Sequence, residues 1–142
     1  MIIWLTGHSG AGKTTLAIKL IQDDKSWIML DGDELRQSIS IECGFSRKDR
    51  RLHNLRVARL ANILSQQKNI IVSVIAPLKA VRQEIDNICH PIWIYVKRTI
   101  PRTKGHFYEE PTDYFIIDNN ILNKELAYRE LKYIIKEYNE KE

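Results

Sequence analysis

The sequence is poor in glycine and in cysteine, and each scarcity limits what the protein can be. Only six of the 142 residues are glycine, fewer than an average share of about 7% would give, and half of them fall between positions 7 and 12. A chain that uses glycine so sparingly places each one where the backbone needs it. The two cysteines, Cys43 and Cys89, have no metal-type spacing and could not cross-link a domain of this size, so we expect reduced thiols in a cytoplasmic protein.

Long hydrophobic runs and a strong excess of one charge are also missing. No apolar stretch approaches the roughly 18 residues that a membrane-spanning helix needs, and residues 1–7 contain no basic leader. Lysine and arginine number 22 against 18 acidic residues, a formal charge of +4, which suits an anionic small molecule but is too weak to indicate nucleic-acid binding. We therefore expect a cytoplasmic protein with no membrane or nucleic-acid partner.

The composition is that of an ordinary globular domain, 44% hydrophobic and 28% charged, and the length matches one domain rather than two. Apolar runs and helical periodicity alternate along the chain. Strands are predicted at 2–6, 27–30, 70–76, 92–96 and 114–118, helices at 13–21, 49–68, 77–88 (opened by Pro77) and 123–138, and a loop at 97–112. This alternation predicts a single three-layer α/β domain over 1–142, with helices on both faces of a mostly parallel five-stranded sheet.

A glycine-rich segment follows the first predicted strand and leads into the first predicted helix. Residues 7–14, GHSGAGKT, match the P-loop pattern G-x-x-x-x-G-K-[ST] in the strand-then-helix context that it requires. The glycines let backbone N–H groups surround phosphate oxygens, Lys13 would reach the β- and γ-phosphates, and the Thr14 hydroxyl would ligate Mg²⁺. The sequence therefore predicts a nucleoside triphosphate site built by Gly7, His8, Ser9, Gly10, Ala11, Gly12, Lys13, Thr14 and Thr15.

Two carboxylates after the second predicted strand narrow the function. The third strand ends in residues 74–77, VIAP, with no acidic residue at the usual Walker-B position, whereas Asp31 and Asp33 follow the second strand. One of them can hold Mg²⁺ through water and the other can accept the proton of an attacking hydroxyl. This pattern favours a small-molecule kinase of the P-loop kinase fold, with Asp33, Lys13 and Asp31 as catalytic candidates. Alternatively, Asp31-Gly32-Asp33 is only a turn and a helix cap.

With these residues the sequence resembles the adenylylsulfate kinase family, whose members phosphorylate the 3′-hydroxyl of adenosine 5′-phosphosulfate with MgATP. The resemblance covers roughly the first two thirds of the chain: WLTG at 4–7, the P-loop, LDGD at 30–33 with Arg36, GFS at 44–46, Asp49-Arg50, Arg56, and Ile75 with Pro77. It implies that Asp33 is the catalytic carboxylate, near the acceptor hydroxyl and, with Thr14, near Mg²⁺. It also implies that Arg36 and Arg50 hold the acceptor's anionic groups. Phe45 would lie against the acceptor's base.

Several positions depart from the family pattern. His53 stands where an asparagine is usual, Ala76 replaces a serine after Ile75, and the long lid is reduced to a short one at about 97–112 that retains Lys104. We place His53, Ile75, Ala76 and Lys104 among the acceptor-binding residues. Arg98 and Arg102 in this loop are candidates for an arginine that stabilises the transition state.

Three functions stay open on this evidence. The first is transfer of the γ-phosphoryl group of ATP, with Mg²⁺, to the ribose 3′-hydroxyl of adenylylsulfate or a related nucleotide-linked acceptor. The second is the same chemistry on another acceptor, such as a sugar or a capsule precursor of the cytidine diphosphoramidate type, which the short lid and Ala76 favour. The third is a nucleotide-binding regulatory module without turnover, against which the intact Lys13, Thr14 and Asp33 argue. The residues themselves are silent on oligomeric state, and the resemblance to a family whose members commonly pair leaves a homodimer open.

Overall fold

Residues 1–100 and 107–141 are described by a computed structural model, and strands and helices largely alternate along them. The strands are β1 (Ile2–Thr6), β2 (Trp27–Asp31), β3 (Asn69–Ser73), β4 (Ile92–Lys97) and β5 (Phe115–Asp118). The helices are α1 (Lys13–Asp23), α2 (Gly32–Arg36), α3 (Arg47–Leu64), α4 (Lys79–Cys89) and α5 (Lys124–Lys141). Within these described ranges, no helix has the length and apolar character that crossing a bilayer requires.

The five strands form one sheet in the order β2-β3-β1-β4-β5, and every neighbouring pair is parallel. The predicted sheet is confirmed and is parallel throughout. Parallel strands end at the same edge, which is where open α/β sheets place their ligands. The register sets Ser73 of β3 beside Asp31 of β2 on one side and beside Leu5 of β1 on the other. The end of β3 therefore lies between the P-loop strand and the predicted carboxylates.

Helices cover both faces of the sheet, and each face has its own hydrophobic core. Successive strand residues point to opposite faces, so β1 contributes Ile3 and Leu5 to one core and Trp4 to the other. Residues of α1 and α5 complete the first core, and residues of α3 and α4 complete the second. This is the three-layer fold that the sequence predicts. The tryptophans are core residues, as expected: Trp4, Trp27 and Trp93.

Two element boundaries were wrong in the region between β3 and α4. β3 ends at Ser73 rather than at residue 76. The predicted strand was too long because Val74 and Ala76 are apolar and buried although they lie beyond the strand. Pro77 does not open the following helix: α4 begins at Lys79, after an extended residue 78. The carbonyl of Pro77 instead accepts a hydrogen bond from the backbone of a later loop, at residue 109.

Two helix starts have side-chain caps that periodicity does not show. Asp31 accepts a hydrogen bond from the Glu34 N–H (3.4 Å) and begins α2, a five-residue helix that was not predicted. Ser46 accepts a hydrogen bond from the Asp49 N–H (3.1 Å), so α3 begins at residue 47 rather than 49. In the predicted loop, residue 97 belongs to β4, residues 107–112 contain no helix or strand, and residues 101–106 lie outside the described part of the chain.

Candidate active site

The glycine-rich loop between β1 and α1 has the backbone of a phosphate cradle. Gly7, Gly10 and Gly12 adopt φ angles of 145°, 81° and 105°, a region that residues with side chains rarely occupy. A Cβ on Gly7 would lie 2.3 Å from the carbonyl oxygen of Val96, so glycine is required where the loop passes β4. α1 begins directly after Gly12, and the free N–H groups and positive dipole of a helix N-terminus favour a bound anion.

The loop after β5 holds the other end of this cradle. The Asn119 side chain donates from Nδ2 to the carbonyl of Ala11 (2.7 Å). The same nitrogen would lie 2.6 Å from a Cβ on Gly12, so the two residues fit only because Gly12 has no side chain. The Arg98 guanidinium donates to the carbonyl of Gly10 (3.4 Å). The cradle is therefore supported from β4 and β5 as well as from its own helix.

Lys13, the first residue of α1, is almost fully buried. Its ammonium donates to the carbonyl oxygens of Gly7 (2.8 Å) and His8 (2.7 Å). Burial lowers the Lys13 pKa to about 8, although the nearby carboxylates of Asp33 and Asp31 act in the opposite direction. Neutral carbonyls do not balance the charge of a buried ammonium, so a bound phosphate would add a Coulomb attraction that Gly7 and His8 do not supply.

A cavity of about 400 Å³ lies at the edge where the parallel strands end. Its lining from the P-loop consists of Ser9, Gly10, Gly12, Lys13, Thr14 and Thr15. Its lining from the rest of the predicted site consists of Asp31, Asp33, Arg36, Arg50, His53, Ile75 and Ala76. The structure thus brings the predicted nucleotide-binding and acceptor-binding residues to one cavity.

Some predicted site residues do not line this cavity: Gly7, His8, Ala11 and Phe45 lie around it, and Lys104, with Arg102, falls outside the described residues. His8 is half-buried, and its ring packs against Tyr108 with the ring centres 5.0 Å apart. Burial and then the charge of Lys13 lower the His8 pKa. His8 therefore packs against the loop that contains Tyr108. The Ala11 side chain is fully buried.

Oxygen ligands cluster where α1, β2 and β3 meet. The Thr14 hydroxyl lies 3.3 Å from Asp31 Oδ1 and 3.0 Å from the Ser73 hydroxyl. Asp31 is also the cap of α2, and the same residue lines the cavity. The hydrogen bonds of the described residues engage Asp31 and leave out Asp33, which lines the same cavity.

This oxygen set has the chemistry that Mg²⁺ prefers, since the ion binds through one or two carboxylates and completes its coordination with water and substrate phosphates. Across residues 1–100 and 107–141, no three His, Cys, Asp or Glu side chains form a metal cluster. A dedicated all-protein cage is not what Mg²⁺ requires. Of the predicted ligands, Thr14 lies beside Asp31 and Ser73, and Asp33 lines the same cavity.

Arg36 and Arg50 reach the cavity from α2 and α3, and both lie close to the Phe45 ring. Arg36 donates to the carbonyl of Gly44 (3.0 Å), and Arg50 donates to the carbonyl of Phe45 (2.8 Å). Their guanidinium groups lie 4.5 and 5.5 Å from the centre of the Phe45 ring, which is 69% exposed. None of the ion pairs between described residues includes either arginine. The arrangement offers two cations without carboxylate partners beside an exposed aromatic face.

The cavity carries more positive than negative charge. The described cationic side chains in its lining are Lys13, Arg36, Arg50, Arg98 and Lys124, and the acidic ones are Asp31 and Asp33. A cleft with this excess attracts anions. Sequence analysis missed Lys124, Ser73 and Asn54, which also line the cavity. A basic residue at the start of α5 was a signal for Lys124, because a helix N-terminus disfavours a cation unless an anion is near.

His53 is buried on α3, and its Nδ1 lies 2.8 Å from the hydroxyl of Ser40, which is also buried. Burial, followed by the nearby guanidinium groups of Arg36 and Arg56, lowers the His53 pKa to about 4. The ring is therefore neutral near pH 7. Because it lines the cavity, it presents an uncharged imidazole there and adds no further cation.

The lowered pKa predicts a loss of stability in acid that depends on His53. Below pH 6.5 the unfolded chain protonates this histidine, whereas the folded protein resists protonation until about pH 4. The unfolded state is therefore favoured as the pH falls, and the free energy of unfolding should drop by about 2 kcal/mol between pH 7 and pH 5 through His53 alone. Urea unfolding of the wild type and of His53→Asn at both pH values measures the difference. Equal losses in the two proteins would contradict the prediction.

The sequence of this chain is similar to those of known kinases. The sequence model of the adenylylsulphate kinase family matches residues 1–104. A probable adenylyl-sulfate kinase of Pyrococcus abyssi is 44% identical over 86 residues, which are 57% of this chain and 49% of the relative. An adenylyl-sulfate kinase of Chloroflexus aurantiacus is 37% identical over 121 residues, 82% of this chain and 59% of the relative. The chain spans about half the length of the curated relatives that it matches.

The fold of this chain is also similar to that of a solved structure. The solved structure of a mutant of the Mycobacterium tuberculosis APS kinase CysC superimposes with a TM-score of 0.76 at 22% identity, over 95% of this chain and 96% of that one. This likeness confirms the predicted P-loop kinase fold. The family match contains every residue that lines the cavity except Lys124. Given a match of that extent, with the P-loop and the carboxylates in one cavity, the chain belongs to the adenylylsulphate kinase family.

Proposed function

We propose that the protein is an ATP-dependent kinase that transfers the γ-phosphoryl group of ATP to the ribose 3′-hydroxyl of adenylylsulfate. The observation that carries the proposal is the shared cavity, in which Lys13 of the P-loop lies with Asp33 and the arginines of α2 and α3. A donor phosphate and an anionic acceptor can therefore meet in one place. The names of the relatives, which are adenylyl-sulfate kinases, support this acceptor.

On the donor side, the backbone N–H groups of the P-loop and the Lys13 ammonium hold the β- and γ-phosphates. Lys13 exchanges its carbonyl partners, Gly7 and His8, for phosphate oxygens. The phosphate charge also keeps this lysine protonated despite its burial. Negative charge that develops during transfer is thereby stabilised by a cation that is already in position.

On the acceptor side, Asp33 aligns the attacking hydroxyl and accepts its proton. The bond between the γ-phosphorus and the oxygen of the leaving ADP breaks as the bond to the 3′-oxygen forms. Holding the donor phosphate and the acceptor hydroxyl in one cavity lowers the entropic cost of bringing them together. The role of Asp31 is different, because its hydrogen bond with the Thr14 hydroxyl (3.3 Å) orients that group.

We assign Mg²⁺ binding to Thr14 and Asp33, directly or through water. Thr14 lies beside Asp31 and Ser73, and Asp33 lines the same cavity. When bound, the ion neutralises charge on the β- and γ-phosphate oxygens. The chain's own contribution is to hold the hydroxyl and carboxylate oxygens at the edge of the sheet through the ends of β2, β3 and α1.

The acceptor side favours an anionic nucleotide over a neutral sugar. Arg36 and Arg50 each use one N–H group on a backbone carbonyl and retain others for a phosphosulfate group. The exposed face of Phe45 is a platform on which a base can stack. A neutral sugar would leave both guanidinium groups without an anion.

A second candidate is another nucleotide-linked acceptor, such as one of the cytidine diphosphoramidate type. The observation that favours it is Ala76, a buried residue in the lining of the cavity, where the family pattern has a serine. One hydroxyl is thus missing from the acceptor side. A different set of hydrogen-bonding groups on the acceptor would suit this change.

An acceptor panel with MgATP tests the proposal. We expect ADP release that depends on adenylylsulfate, with a product that carries the new phosphate on the 3′-oxygen by ³¹P NMR. The Lys13→Met variant, purified in parallel, is the blank for contaminating kinases. Turnover with a cytidine nucleotide but not with adenylylsulfate would change the acceptor and keep the chemistry. If no acceptor raises ADP release above the blank, the protein is a nucleotide-binding module and the kinase proposal fails.

A further inference from the structure

Arg82 is a buried cation that the proposed mechanism does not use. It lies on α4 and is 2% exposed, yet none of the ion pairs between described residues includes it. It donates from Nη1 to the carbonyl of Ala76 (2.8 Å) and from Nη2 to the carbonyl of Glu109 (2.6 Å), and its Nε has no partner. Burying a guanidinium without a carboxylate is costly. Arg82 joins two segments of the chain through these bonds.

The first of these segments is residues 108–109, which we term the strap. The Glu109 N–H donates to the carbonyl of Pro77 (2.9 Å). The Glu109 side chain accepts a hydrogen bond from the Lys79 N–H (3.3 Å) at the start of α4, where the N-cap residue itself provides no side-chain bond. The strap is thus fastened to the loop between β3 and α4 by both its backbone and its side chain.

Tyr108 fastens the strap to the P-loop side of the sheet. Its hydroxyl lies 2.8 Å from the hydroxyl of Thr6, the last residue of β1. The Thr6 hydroxyl in turn donates to the carbonyl of Ile75, so Tyr108 is the donor of this pair. The Arg82 guanidinium lies over the Tyr108 ring, 5.3 Å from its centre. Arg82 therefore contacts both residues of the strap.

The second segment is residues 75–77, which we term the acceptor wall because Ile75 and Ala76 line the cavity. Ala76 has a φ of 47°, a left-handed conformation that is strained for a residue with a side chain and persists only when its surroundings hold it. Three consecutive carbonyls of the wall each accept a hydrogen bond, in order from Thr6, Arg82 and Glu109. The strained wall is thus held at every residue by this network.

We propose that Arg82 is a positioning residue for the acceptor: by joining Ala76 to the strap, it fixes the acceptor wall in its strained conformation. This inference rests on the proposed function, because that function makes the wall a contact surface for the acceptor. Arg82 does not line the cavity and acts through the wall. Its loss should weaken the binding of the acceptor and spare the P-loop's hold on ATP.

Steady-state kinetics of Arg82→Met and Arg82→Lys test the proposal. In Arg82→Met we expect the KM for adenylylsulfate to rise about tenfold, as the loss of a buried charged hydrogen bond implies, with less than a twofold change in the KM for ATP. Arg82→Lys keeps the charge and one of the two bonds and should recover part of the loss. Arg59→Met, at an exposed arginine of α3, is the matched control and should leave both KM values unchanged.

Amide hydrogen exchange supplies a readout that does not depend on the identity of the acceptor. Arg82→Met should speed exchange in the acceptor wall and at the start of α4 and leave α1 unchanged. Tyr108→Phe removes only the hydroxyl that meets Thr6 and should act in the same direction more weakly, which keeps the test valid if Arg82→Met does not fold.

Unchanged exchange in the wall, or equal rises in the two KM values, would overturn the proposal. If the wild type does not phosphorylate adenylylsulfate, the proposed function has failed, and the exchange comparison still decides whether Arg82 fixes the wall.

Discussion

Asp33→Asn should lower kcat about 10³-fold, the scale on which a positioned general base contributes, while ATP still binds. Asparagine has nearly the shape of aspartate but cannot take a proton from the acceptor hydroxyl. Asp33 lines the cavity, and the hydrogen bonds of the described residues engage its neighbour Asp31 instead. The measurement is kcat at saturating ATP and adenylylsulfate, with the Kd for ATP from calorimetry.

Two further variants show whether this effect belongs to Asp33 alone. Asp113→Asn changes an exposed carboxylate outside the cavity and should leave kcat unchanged. Asp31→Ala removes the cap of α2 and should lower the free energy of unfolding by about 1 kcal/mol, an effect that Asp33→Asn should lack. If Asp33→Asn retains kcat within tenfold of the wild type, Asp33 is not the general base. If the variant loses ATP binding together with folding, Asp33 is a structural carboxylate.

Lys13→Met should lower kcat/KM for ATP by about 10²–10³-fold, the loss found when one preorganised donor to the transition state is removed. Its stability should change little, because burial lowers the pKa of Lys13 to about 8, which means that the charged form is held less favourably in the folded protein than in water. Methionine fills the same space without that penalty. Thermal unfolding without ligand and kcat/KM for ATP are measured on the same preparation.

Lys25→Met is the matched control for this variant, since Lys25 is exposed after α1. It should match the wild type in both measurements. A large loss of stability in Lys13→Met, with kcat/KM reduced only in proportion to unfolding, would show that the ammonium serves the carbonyls of Gly7 and His8, with no part in binding phosphate.

The order of strands and helices could be predicted because the central strands, covered on both faces, are continuous apolar runs. The prediction of strand ends failed where apolar residues are buried but lie outside the hydrogen-bonded strand. Val74 and Ala76 are buried, yet they lie beyond Ser73, the last residue of β3. α2 has five residues, too few to show a helical period, and its only local signal was the cap at Asp31.

The candidate site likewise contains some residues that a local pattern identifies and others that only the tertiary structure brings together. Spacing alone identifies the P-loop, because its residues are contiguous. Ser73, in contrast, comes beside Thr14 (3.0 Å) only through the parallel register of β3 with β1, which no local pattern shows. His53 was predicted on the acceptor side, but the lowering of its pKa depends on burial and on neighbouring arginines that tertiary packing assembles.

Asn119 shows that recognition of the family and construction of the site involve different parts of the chain. The family match ends at residue 104, and Asn119 lies beyond it, although its amide holds the Ala11 carbonyl and occupies the space beside Gly12. A segment with every motif residue would thus lack the group that braces its phosphate loop. We therefore expect a substitution at Asn119 to change the affinity of the proposed nucleotide site while every motif residue stays the same.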